Sequence, residues 1–374
     1  MNVKLDFKQG TFVSSKDTLG YQEVLDDFKN AQIIRIVTFN LSKGTRDDKL
    51  FNKLLELGET VDIQIITNIP SRFNWYATSS AGEYLRRAAS TNIDAYLKKL
   101  NPDDFNAPII PFFNFNNHAK IIGTENIVYI GSANFSNESA KNYETGVLIS
   151  DKEFIKELYK SFFDNLKEES IPYFTDEFNK LRLAMLSILT RLVNHYDYIL
   201  DTLFIFSERF NKYIFINDET GFSENDLYEL RYDLYELEEI EGLIDEVNCD
   251  EYELEEPLNQ IADIYSNINI NFILDLIGID KPFYDFVRYS FQNAFDDCFE
   301  EYSGVAYDEY LEHYIEKASD DARDVLCGLC ENAEEDIENL KLELESIINS
   351  IKEINTIISD NASKAINVDI DNTK

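Results

Sequence analysis

An α/β domain, a mixed sheet flanked by helices, over residues 1–170, followed by an all-α acidic helical domain over 171–374, is the fold the sequence predicts. Three observations lead there. Short β-branched and aromatic runs alternate with helical stretches up to about residue 150. Beyond that point the apolar residues recur almost wholly at helical spacing. Charge divides at the same place: residues 1–150 carry 16 Lys and Arg against 17 Asp and Glu, leaving 18 and 54 to the remainder of a chain of net charge −37. An acidic helical surface of this kind favours solubility whatever else it does.

The length of 374 residues accommodates two domains, and 22 Tyr with 27 Phe supply ample material for their cores. In the first half AQIIRIVTF at 31–39, VDIQIIT at 61–67 and APIIPFFNF at 107–115 are near-continuous apolar runs, which suit strands covered on both faces. HAKII, NIVYIG and TGVLIS follow closely as three more strand segments. Helices are expected over 18–30, 47–57 and 82–100. The last places Tyr84, Leu85, Ala88, Ala89, Ile93, Tyr96, Leu97 and Leu100 on one face and Arg86, Arg87, Lys98 and Lys99 on the other. The stretch DKEFIKELYKSFFDNLKEE closes the first domain, with Pro172 as a boundary mark.

In the second half Ser223 heads a helix carrying Leu227, Leu230, Leu234 and Leu237. The clearest periodicity is Ile337, Leu340, Leu344, Ile347, Ile351, Ile354 and Ile358, three heptads of an apolar seam. Such a seam packs inside a bundle or coils with another chain; the bundle is the expectation, because many other helices are at hand. Residues 360–374 are polar. The cysteines, Cys249, Cys298, Cys327 and Cys330, all lie here. A Cys-x-x-Cys pair invites zinc or redox chemistry, but zinc sites usually bring two close pairs. Both Cys327 and Cys330 are therefore expected as reduced core residues on one helical face. No apolar run approaches the ~18 residues of a membrane span, and the N-terminus lacks the apolar stretch of a secretory signal. Four cysteines in this length imply no disulfide framework, and the cytoplasm is the expected compartment.

The chemistry concentrates in FNNHAKIIGTENIVYIGSANFS, residues 115–136. In a strand, alternate residues share a face, so His118 and Lys120 aim an imidazole and an ammonium at one anion. Ser132 and Asn134 repeat that relation after Gly131, where the backbone can come close. Glu144 is placed to accept a hydrogen bond from His118 and raise its basicity, the base-and-orienter logic of a catalytic triad.

His118-x-Lys120, an acidic residue at Glu125, Gly131-Ser132-x-Asn134 and the downstream Glu144 resemble the HKD motif of the phospholipase D superfamily. The resemblance spans roughly residues 20–165. It departs from the family pattern at Glu125, where aspartate is usual, and in a spacing about one residue short before Gly131. What the resemblance implies is a metal-independent phosphodiesterase without cofactor, its catalytic residues His118, Lys120, Ser132, Asn134 and Glu144, with Glu125 bracing the structure. One motif's histidine attacks phosphorus to form a phosphohistidine and another's protonates the leaving oxygen. This chain has one motif. His195 and His313 lack the spacing and are expected as ordinary helix residues. A homodimer through the catalytic domain, two half-sites meeting on a two-fold axis, is therefore expected.

Single-motif relatives that dimerise are typically nucleases, so the resemblance implies a nucleic-acid substrate. Phosphate binding draws on local cations: Arg35, Lys43, Arg46, Arg72, Arg86, Arg87 and Lys141 are candidates, with Trp75 and Tyr76 to stack bases. The acidic helical domain would mimic nucleic acid and restrain the enzyme, or bind a basic protein partner, a plan that suits a bacterial defence or toxin-like effector by analogy with family members. Two other readings stay open, a phospholipase or small-molecule phosphodiesterase and a non-catalytic scaffold.

Overall fold

A computed structural model of the chain describes residues 9–42, 48–70, 89–247, 254–305 and 310–371, with backbone alone for 89–92 and 362–371. The chain divides into two compact units, Met1–Ser187 and Ile188–Lys374.

The first unit is built on an eight-stranded mixed sheet. In chain order its elements are β1 (Gly10–Ser15), α1 (Gln22–Asp27), β2 (Ile33–Thr38), α2 (Lys49–Leu55), β3 (Asp62–Thr67), α3 (Ala89–Lys99), β4 (Ile109–Phe113), β5 (Ile121–Thr124), β6 (Val128–Gly131), β7 (Glu144–Ile149), α4 (Lys152–Leu158), α5 (Asp164–Glu168) and β8 (Ile171–Pro172). The strand order is β1-β7-β6-β5-β2-β3-β4-β8. Strands β2, β3 and β4 run parallel, as apolar runs joined by helical crossovers should. The rest of the sheet is antiparallel.

One face of the sheet, with Val37, Ile66, Ile121, Val128 and Ile149, buries against Phe154, Ile155 and Leu158 of α4 and Leu166 of α5. A π turn over Tyr159–Phe163 joins these two helices and presents Phe163 to the same core. Alternation sends Ile34, Ile36, Ile122 and Tyr129 to the opposite face, where all four are buried. There Tyr21, ahead of α1, packs on Tyr129 and Phe135, and Phe51 of α2 meets Phe135 edge-on. Asp48 caps α2 by accepting from the N–H groups of Leu50 and Phe51, and a buried Lys99 holds the cap carboxylate in place.

Strands β1 and β8 were not expected. The first has exposed residues on both faces, so period-two alternation is absent from its sequence. The second is two residues long, and Pro172, read from sequence as a boundary mark, lies in it at the sheet edge, where a missing N–H costs nothing.

The second unit takes in most of α6 (Asn179–Leu203), followed by β9 (Phe204–Ser207), β10 (Lys212–Phe215), α7 (Glu224–Glu238), α8 (Ile240–Glu246), α9 (Glu255–Ser266), α10 (Ile270–Leu276), α11 (Pro282–Val287), α12 (Phe291–Tyr302) and α13 (Leu311–Asp371). Ser223 and Asp226 form a reciprocal capping box at the start of α7. Helices α9 to α12 all pack on α13. Its seam, Ile337 through Ile358, is buried within this one chain, which makes it a bundle core rather than a coiled coil between chains. Cys330 and Ala333 extend that seam and are fully buried, but Cys327 is exposed. A spacing of three residues turns the helix by ~300°, so Cys327 falls beyond the edge of the buried stripe. Among the described residues no helix is long and apolar enough to cross a membrane.

Within this largely helical unit β9 and β10 are a local exception. They form an antiparallel hairpin, Phe206 opposite Tyr213 and Phe204 opposite Phe215, where β-branched and aromatic residues on both sides of a short polar turn outweigh the surrounding helical pattern. His195, on α6, is half-buried and meets Asp233 of α7 at 2.9 Å. The same carboxylate pairs with Arg191 at 2.8 Å, and Arg191 also holds Glu236. His313 is exposed on α13.

Candidate active site

The motif residues gather where the parallel strands end, the edge at which open α/β sheets place their ligands. Past β4 the chain turns through three asparagines before entering β5. Asn117 donates to the Thr38 carbonyl at 2.9 Å and accepts from the Ala119 N–H at 3.0 Å. Asn68 donates to the carbonyls of Phe115 and Asn117, at 2.9 and 3.3 Å. These bonds fix the backbone on both sides of His118, so its position is set by the sheet and not by a free loop.

His118 itself is exposed, and Lys120, two residues on, is buried. The Lys120 ammonium lies 3.1 Å from His118 Nδ1 and donates to the His118 carbonyl at 2.6 Å. The Phe39 ring packs against the imidazole, centroids 4.7 Å apart, with Lys120 Nζ 5.3 Å from the same ring. Burial first, and the adjacent Lys120 charge second, hold the His118 imidazole below its ordinary value. It is therefore neutral at pH 7, the form a nucleophile requires. Burial also lowers Lys120, opposed by the Glu144 carboxylate.

On the neighbouring strands, β6 ends at Gly131 and the chain turns sharply. A Cβ on Gly131 would overlap the Tyr129 hydroxyl and the Thr145 carbonyl oxygen, so the turn requires glycine. Tyr129 donates to that carbonyl at 2.9 Å and receives the Ala133 N–H at 3.3 Å. Ser132 donates to Glu144 and accepts from the Thr145 N–H at 3.0 Å. The side-chain oxygen of Asn134 accepts from the Phe39 N–H at 3.1 Å and the Asn40 N–H at 3.4 Å. Its amide nitrogen has no partner among the described residues and is left to donate.

His118, Lys120, Ser132, Asn134 and Glu144 thus cluster, though Ser132 and Asn134 lie in the turn past β6 rather than on a strand. Glu144 departs from expectation: its hydrogen bond comes from Ser132, not His118. The start of β7 lies beside the end of β6, whereas His118 precedes β5, one strand further away. Glu125 sits in the β5–β6 turn and accepts from the N–H groups of Gln32 at 3.0 Å and Ile33 at 3.1 Å, bracing the entry to β2 at the far end of the sheet.

Arg35 is not in the site. Its guanidinium turns toward the start of β3, paired with Asp62 at 2.5 Å and lying over Phe163. It is a half-buried cation already engaged by the Asp62 carboxylate and the Ile34 and Asp62 carbonyls. Arg72 and Trp75 fall outside the described residues, as do Lys43, Arg46, Tyr76, Arg86 and Arg87. Lys141 is exposed.

Phe39 was missed by sequence reasoning, where it read only as the end of an apolar strand. Phe39→Ala should relieve part of the desolvation at His118. The imidazole pKa then rises toward its ordinary value, and any activity that needs the neutral ring loses its acid limb at higher pH than wild type. An NMR titration of the His118 ring, assigned by its disappearance in His118→Ala, measures this. An unmoved titration would show that Phe39 does not set the ionisation.

Residues 24–166 match a family model described as cardiolipin synthase, PLD-like domain. No curated protein matches the chain. Among solved structures, the chain is similar to Nuc, a phospholipase D family member from Salmonella typhimurium, at 18% identity over 44% of this chain and 97% of that one, with a TM-score of 0.30. It is similar to NucT from Helicobacter pylori at 16% identity, covering 44% and 98%, with a TM-score of 0.28. For the phosphatidylserine synthase of Haemophilus influenzae the values are 14%, 44% and 39%, with a TM-score of 0.32. Residues 24–166 are a domain of the phospholipase D superfamily.

Proposed function

We propose that this phospholipase D-like domain hydrolyses phosphodiester bonds of nucleic acid, without a metal ion, at a site completed by a second copy of the chain. The observation that carries the reading is the neutral, Phe39-backed His118 with the Lys120 ammonium 3.1 Å from its Nδ1. The attacking ring and a counter-charge for phosphate then lie side by side, and the amide nitrogen of Asn134 supplies a further donor to its oxygens.

In the reaction, His118 Nε2 forms a bond to phosphorus as the bond to the leaving oxygen breaks. The partner subunit's His118, entering the step as the imidazolium, gives one of its two ring protons to that oxygen and, now neutral, takes one from water. The water oxygen attacks phosphorus, the P–N bond breaks, and His118 is restored. One chain is not poised for this. An ammonium can only donate, so it leaves Nδ1 as acceptor and the ring proton on Nε2, the atom that must attack. No carboxylate reaches Nδ1 from within the described chain to reverse that tautomer. This gap supports a homodimer, as does the presence of one motif where the chemistry needs two histidines. The charge partition supports a restraining role for the acidic helical unit, with bacterial defence or toxin-like action as the setting.

The test is incubation with single- and double-stranded DNA, RNA and phospholipid in EDTA, beside His118→Ala. Nucleic-acid cleavage that resists EDTA and disappears in the variant is expected. Turnover of lipid alone would replace nucleic acid with a lipid substrate, and inertness toward every substrate would leave a binding scaffold.

A further inference from the structure

The β9–β10 hairpin stands out in the helical unit. Phe204 and Phe215 at its base are buried edge-to-face, and Phe215 continues onto Phe286. An isolated two-stranded hairpin is marginal in water, so this anchorage fixes where its far end projects. There the side chains are large, apolar and uncovered. Phe206 and Tyr213 pair edge-on at 5.3 Å with 48% and 41% of their surface exposed, while Phe210 in the turn is 59% and Ile205 62% exposed.

Two cations accompany them, Arg209 over the Phe210 ring in the turn and Lys212 at the first position of β10. Neither has a carboxylate within ion-pair reach among the described residues. Elsewhere in this unit Arg191, Lys281, Arg288, Arg323 and Lys341 each hold one, while Arg231 donates to the Ile277 carbonyl and Lys317 lies over the Tyr302 ring. In a half of the chain with 54 acidic residues against 18 basic ones, cations left without carboxylates are open to an anion from outside.

We propose that the tip of this hairpin binds single-stranded nucleic acid, bases stacking on Phe206, Phe210 and Tyr213 and phosphates meeting Arg209 and Lys212. The chemistry is that of single-strand platforms, in which aromatic faces and neighbouring cations alternate. Paired bases would not present their faces to these rings. A membrane fits less well, because the outermost residues, Glu208, Arg209, Asn211 and Lys212, would enter the hydrocarbon ahead of the rings. The net negative charge of the unit acts against any polyanion at long range. Physiological salt screens it within ~8 Å, leaving the contact itself to local cations. This inference rests on the nuclease reading for its choice of ligand but concerns a different surface from the catalytic one.

The experiment is fluorescence anisotropy of a labelled oligothymidylate with full-length His118→Ala, which binds without cutting. Phe206→Ser and Phe210→Ser, both at exposed positions, should each weaken binding about tenfold. Arg209→Ala with Lys212→Ala should reduce the salt slope of log K by about 1.4, at about 0.7 per phosphate contact. With His118 intact, all of these variants should hydrolyse bis(p-nitrophenyl) phosphate at the parent rate. Oligonucleotide affinity unchanged in every variant, or hairpin-dependent binding to phosphatidylglycerol vesicles with none to oligonucleotide, overturns the proposal. Hairpin-dependent binding without any cleavage upholds it and sinks the nuclease reading; cleavage indifferent to the hairpin does the reverse.

Discussion

His118→Ala should lower phosphodiester turnover by about ten-thousand-fold or more. The loss is this large because a covalent nucleophile has no substitute within the site, and removing one member of a group acting together costs nearly as much as removing all of them. The fold should not register the change, since His118 is exposed and such substitutions stay within about 0.5 kcal/mol. Its neighbours are held independently of it. Asn117 and Asn68 pin the backbone, and Asn134 is anchored on the Phe39 N–H. Unchanged thermal unfolding beside abolished turnover is the expected pair of results. A variant retaining a tenth of the activity would place the nucleophile elsewhere.

The largest effect on stability should come from the seam of α13. Leu344 is fully buried, and Leu344→Ala removes its side chain from the buried seam of α13. Deletions of this kind cost about 2–5 kcal/mol, a sizeable share of the 5–15 kcal/mol typical of a domain. Leu342, two residues earlier on the same helix, is 57% exposed, and Leu342→Ala should stay within about 0.5 kcal/mol. Urea unfolding followed by far-ultraviolet circular dichroism measures both. Equal losses at the two positions would mean that the seam is not the core of this unit.

The legible parts of this protein are those whose physics is periodic or close in sequence. Strands β2, β3 and β4 could be read because burial on both faces forces near-continuous apolar runs, and the α13 seam because its heptads repeat. The motif from His118 to Asn134 was legible through residue types and spacing. Strand β1 was not, since an edge strand exposed on both faces needs no pattern. The β9–β10 hairpin carried a signal, apolar FIF and YIF around a polar turn, outweighed by helices on either side. Contacts set by tertiary geometry stayed hidden. Nothing local places Phe39 under His118, gives Glu144 to Ser132, or turns Arg35 away toward Asp62.

The half-site is the centre of this account, and mixing subunits tests it most directly. A dimer holds two copies of His118, enough for one attacking and one proton-donating imidazole. Replacing either should silence the pair. Wild type and His118→Ala, mixed in equal amounts and allowed to exchange subunits fully, should then show about a quarter of the activity of the same total of wild type, because one dimer in about four keeps both histidines. About one half, the value for chains that act alone, would contradict a site shared between two copies.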